Sequence, residues 1–160
     1  MTTEPTDAPR VFLVVVDETE EMRVALRFAC RRAKHTGGRV ALLYVIEPPE
    51  PQPFRQVEEL MVAERRAEAE ELMKKLAADV VTLSGQVPVV HLRDGHRAEQ
   101  LLALIDEEPS ISILVLAAGT GSEGPGPLIS NLVGRLSGRL RVPITVVPGW
   151  LTDEQIDRLA

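Results

Sequence analysis

The chain has one cysteine, no excess of basic charge and no long apolar run, and each shortage removes a class of protein. Cys30 has no disulfide partner within the chain and cannot build a thiol-rich metal site, which points to a reducing, cytoplasmic setting. Lys plus Arg number 18 against 24 Asp plus Glu, a net charge of -6. No global positive field gathers nucleic acid or an anionic membrane, so neither is an expected partner. The longest apolar runs, Val11 to Val16 and Ile113 to Ala118, fall far short of the roughly 18 residues of a membrane span. Met1 to Arg10 lacks the basic start and apolar middle of a secretory signal and reads as a disordered tail.

Catalytic constellations are equally scarce. His35, His91 and His96 show no metal-ligand spacing, so no metal site is expected. There is no G-x-S-x-G elbow and no G-x-x-x-x-G-K-[ST] loop. Cys30 falls beside the buried stripe of the first predicted helix, as a packed thiol rather than a nucleophile. Only Asp17 and Glu123 stand where a general base would be wanted, and no catalytic residue is assigned.

What is present is a regular alternation over 160 residues, enough for one domain with its own core. Val11 to Val16 is a β-branched run, apolar on both faces, as in the centre of a helix-covered parallel sheet. Thr19 is placed to cap a helix whose stripe is Met22, Ala25, Leu26, Ala29 and Ala33, ended by Gly37-Gly38. Val40 to Ile46 is the second strand. A charged helix from about Phe54 to Thr82 follows, with Glu70 to Lys74 and Glu71 to Lys75 at supporting i,i+4 spacing and Leu72, Leu76, Val80 and Leu83 inward. Val87 to Leu92 is the third strand; Ala98, Leu101, Leu102 and Ile105 mark a short helix; Ile111 to Ala118 is the fourth strand.

A loop of glycine, serine and proline, Gly119 to Pro127, leads to a last helix with Leu128, Leu132, Leu136 and Leu140 on one face. Ile144 to Val147 is the fifth strand. The expected organisation is a disordered tail over 1–9, the domain over 10–149, and a tail over 150–160 with one or two helical turns. Trp150 is expected to cover its own domain, with packing on a partner as the alternative. The fold expected is α/β: a doubly wound five-stranded parallel sheet, strand order 3-2-1-4-5, with helices on both faces.

In such a sheet ligands bind beyond the carboxyl ends of the strands, where the order reverses. That draws in Asp17 after strand one and the glycine loop after strand four. Gly119 to Gly124 matches G-x-G-x-x-G, but no acidic residue lies about 20 positions on, in the region Arg139 to Thr145, and Pro125 and Pro127 interrupt the passage into helix. A dinucleotide site is not supported.

Five segments in their order resemble the universal stress protein family: Val14-Val-Val-Asp17, Leu43-Tyr-Val-Ile-Glu47, Gly95-His-Arg-Ala-Glu-Gln-Leu101, Ile113-Leu-Val-Leu-Ala117 and Val142-Pro-Ile-Thr-Val-Val147. The resemblance covers about residues 10 to 148. It implies a stress-response or regulatory domain, a homodimer through the last strand (Ile144, Thr145, Val146, Val147) and an unnamed protein partner. In its nucleotide-binding members a G-x-x-G-x9-G-[ST] motif holds phosphate. Gly121, Gly124 and Gly134 reproduce that glycine spacing, yet anchoring on the strand-four run and Pro143 puts Ala117, Thr120, Ser130 and Asn131 at the motif positions instead. All three glycines are then replaced, and the ATP motif is degenerate. ATP remains the alternative ligand, with candidate contacts carried over by position at Asp17, Val45, Leu116, Ala117, Gly119, Thr120, Gly121, Ser130 and Asn131, and with Ser122 as a further hydroxyl donor.

Overall fold

β1 (Val11–Val16) is buried along its whole length, because its alternate side chains enter two separate cores. Leu13 and Val15 face one core; Phe12, Val14 and Val16 face the other. A continuous apolar run is therefore required here, where a one-faced sheet would need alternation. The computed structural model describes residues 8–122 and 124–160; the N-terminal tail assigned to 1–9 falls almost wholly outside them, and Glu123 does too.

Around β1 lie β2 (Arg39–Ile46), β3 (Val89–Asp94), β4 (Ile111–Ala118) and β5 (Ile144–Pro148) in a parallel sheet of order β3-β2-β1-β4-β5. On one face pack α1 (Met22–Thr36) and α2 (Arg55–Ser84), on the other α3 (Arg97–Glu107) and the short α4 (Pro127–Ser130). Gly37, at φ 69, ends α1 in the left-handed conformation and donates to the Ala33 carbonyl, so the chain turns into β2 within two residues.

Several predicted details are corrected. β3 starts at Val89 rather than Val87, since Pro88 has no N–H to give the ladder and Ala41 pairs with Val89. Thr19 does not cap α1: its amide and hydroxyl both donate to Asp17 Oδ1, and the helix begins three residues later with no side-chain cap. α2 presents Ala69, Met73, Leu76 and Val80 as its buried face, with Leu72 and Leu83 only partly covered. Neither predicted i,i+4 pair forms among the described residues; Lys74 meets Glu71 at 3.8 Å instead.

The largest departure is the last predicted helix. After one α-turn the chain widens to an i→i+5 turn over Asn131–Arg135, where Leu136 N donates to Asn131 O at 2.9 Å, and finishes in a 3₁₀ turn over Ser137–Arg139. Gly134, Ser137 and Gly138 weaken a regular helix here. The apolar face survives the break, with Leu132 buried and Leu128, Leu136 and Leu140 packed against the same core.

Beyond β5, α5 (Asp153–Leu159) is started by a capping box between Thr152 and Gln155. Its Ile156 is fully buried, and Arg27 and Arg31 of α1 both bond Asp157. Trp150, expected to cover the domain, is instead 67% exposed, and Leu151 packs inward in its place. No described helix is long and apolar enough to cross a membrane.

Candidate functional site

The strand order reverses between β1 and β4, which opens a crevice at their carboxyl ends. It has two lobes. The inner one, about 160 Å³, is largely apolar, with Val15, Met22, Ala25 and Leu116 as its floor and Pro125 to Ile129 as a wall. The outer one, about 420 Å³, is polar and runs along the end of β2, past Tyr44, Val45 and Glu47, to Arg65 and Glu68 of α2. Asp17, Thr19 and Arg97 line both.

Of the predicted residues, Asp17, Leu116 and Ala117 meet in the inner lobe and Val45 joins Asp17 in the outer one. Gly119, Thr120, Gly121, Ser130 and Asn131 line neither, and nor does Ser122. The cause is the loop's own hydrogen bonding. Gly119 N donates to Pro125 O at 3.0 Å and Gly124 N to Gly121 O at 3.3 Å, so the loop curls on itself and turns its prolines to the crevice. A Cβ on Gly119 would stand 3.0 Å from Gly124 O and 3.2 Å from the Glu21 carboxylate, so a polar acid packs where the loop is tightest.

In the helix that follows, the donors at the predicted positions are engaged. Ser130 N donates to Gly126 O at 3.1 Å, Asn131 N to the carbonyls of Pro127 and Leu128, and Pro127 has no donor at all. The amides at the two motif positions are therefore already bonded within the turn. Glu123, the other candidate base, lies outside the described residues.

Arg97, missed from the sequence, opens α3 and lines both lobes; its Nε is enclosed and has no hydrogen-bond partner among the described residues. Gly95-His-Arg97 follows the carboxyl end of β3, as Asp17 follows β1 and the glycine loop follows β4, and that position is the signal in the sequence that points to Arg97. The outer lobe carries Asp17, Glu18, Glu47 and Glu68 against Arg65 and Arg97, and Arg65 already donates to Glu47 O at 3.0 Å. Burial, and then the Glu18 charge, push the Tyr44 hydroxyl pKa up, so it stands as a neutral donor in this lobe. Among the described residues no three His, Cys, Asp or Glu side chains converge as metal ligands.

At the far edge of the sheet, β5 pairs with β4; Val147 is buried, Ile144 and Thr145 half-buried, and Val146 exposed. The second edge of β5 is open among the described residues.

The model of the universal stress protein family matches residues 9–148. Universal stress protein UspA from Lactobacillus plantarum superposes with a TM-score of 0.73 at 19% identity, covering 89% of this chain and 99% of that one. A universal stress protein solved in complex with cAMP gives 0.61 at 14% identity, covering 89% and 99%. One from Archaeoglobus fulgidus in complex with dAMP gives 0.56 at 18%, covering 87% and 96%. At these identities the structures establish the fold alone. No curated protein matches.

Proposed function

The chain belongs to the universal stress protein family, and from that premise we propose that it is a non-catalytic, cytoplasmic regulatory domain that acts as a homodimer through β5 and does not hold a triphosphate. One observation carries this reading: the amides of Gly119 and Gly124 are bonded within the loop after β4 and those of Ser130 and Asn131 within their own turn, so none of these four donors is free to receive a phosphate. The exposed Val146 on an uncharged strand edge supports the dimer, since such edges are usually covered.

Sedimentation at tens of micromolar chain, with and without millimolar ATP, tests it. The expected result is a dimer in both, and a monomer for Val146→Lys, whose charge blocks edge pairing. A monomeric wild-type chain, or a dimer that forms only with ATP, removes the reading.

A second reading is favoured by Arg97, a cationic side chain that lines both lobes of the crevice. On it the domain senses a small adenine nucleotide, as the neighbours solved with cAMP and dAMP bind theirs.

A further inference from the structure

The first turns of α2 carry apolar residues that neither core takes up. We propose that the groove between these turns and the Pro48-Pro49 segment receives a basic amphipathic helix of a partner protein. α2 packs over β2 and β3, at the opposite edge of the sheet from β5, so a homodimer through β5 leaves the groove open to that partner.

Three observations carry it. The first is length. α2 runs 30 residues but its first buried residue is Ala69, so Arg55 to Glu68, about 21 Å of helix, lie outside both cores. Val57, Leu60 and Val62 in this stretch are exposed, and Phe54 just before it is 69% exposed. Leu60 and Val62 stand about 160° apart round the axis, and a helix that is apolar on several sides is one that another body covers. The second is a formed groove of about 400 Å³, lined by Glu58 and Val62 of α2, by Ile46, Pro48 and Pro49, and by Gly95. It adjoins the outer lobe of the crevice, sharing Ile46, Glu47 and Arg65, but Pro48, Pro49 and Val62 line the groove and not the lobe. Pro48 and Pro49 have no amide with which to template an added strand, so side-chain packing against a helix is the mode that fits.

The third is charge. The arginines of this surface are already engaged: Arg55 with Glu59 at 3.1 Å, Arg65 with the Glu47 carbonyl at 3.0 Å and Arg66 with Asp94 at 2.6 Å. The carboxylates of Glu47 and the half-buried Glu58 line the groove without an ion pair among the described residues, and no lysine lies between Glu47 and Met73. A visitor therefore meets apolar contact framed by unmatched negative charge. Its complement is a helix with apolar residues at i, i+3, i+4 and i+7, flanked by Lys or Arg. A second copy of the chain, itself at -6, brings charge of the wrong sign, and so does an anionic membrane.

Fluorescence anisotropy on the full chain tests the assignment, with a labelled peptide of about 14 residues, Leu at helical spacing and Lys elsewhere, as the probe. It is expected to bind about tenfold or more tightly than the same peptide with Glu for Lys, and than its own residues in scrambled order. Val62→Ser and Glu58→Lys should each weaken it by about tenfold. Glu70→Lys, an equal change of net charge at an exposed position further along α2, should alter it by less than about twofold. Amide exchange in the complex of the unaltered chain should slow over Arg55 to Arg66 and not in β5. No binding at millimolar peptide, equal binding of the acidic or scrambled peptide, equal losses in Glu58→Lys and Glu70→Lys, or protection elsewhere overturns the assignment. So does a dimer of Val146→Lys that Val62→Ser splits, which gives the groove to a second copy, and so does co-sedimentation with anionic vesicles that Val62→Ser abolishes, which gives it to a membrane.

Discussion

Asp157 is held by two arginines of α1, chiefly through the paired hydrogen bonds from Arg27, and its pKa falls from the ordinary 3.8 to about 2. Because the folded chain binds this proton less readily than the unfolded one, the contribution is complete above pH 3.8 and is lost as pH falls towards 2. Asp157→Asn should lower the melting temperature at neutral pH and flatten its acid dependence within that window. An unchanged acid limb would contradict the assignment. Cys30 gives a chemical counterpart: burial pushes its thiol up to about 12. It should resist a thiol reagent at pH 8 in the native chain and react fully in denaturant, and rapid native labelling would show that α1 opens locally. Gly149 is fixed sterically, since a Cβ there would meet the Ala118 carbonyl oxygen at 2.2 Å. Gly149→Ala should destabilise the chain by about 1–3 kcal/mol, measured by urea unfolding.

Elements were legible in proportion to how far the core dictates them. β1 and β4 announce themselves as β-branched and aliphatic runs because both faces of each are buried. The break after α4 was hidden, since Leu128, Leu132, Leu136 and Leu140 keep a helical spacing whether the turns between them are regular or widened. That spacing yields a contrast: Leu132→Ala should cost about 2–5 kcal/mol in urea unfolding, whereas exposed Val133→Ala should stay within about 0.5 kcal/mol. Similar losses at both sites would mean that this segment packs differently. The start of α1 escaped for another reason. Thr19 fits a cap by residue type, but Asp17 accepts both of its donors and draws it back into the crevice.

At the scale of the molecule, strand order and the crevice at its reversal follow from chain alternation; Asp17 lines that crevice, as do Val45, Leu116 and Ala117, which were carried over by position from the family resemblance. What the sequence concealed is which residues of the loop line the crevice. Four glycines between Gly119 and Gly126 suggest an open cradle, yet the amides of Gly119 and Gly124 are bonded within the loop itself. The account therefore turns on the crevice rejecting a triphosphate. Equilibrium dialysis of the full chain against labelled ATP tests that most directly: no retention above background at millimolar ATP is predicted, and saturable retention at micromolar ATP would contradict it.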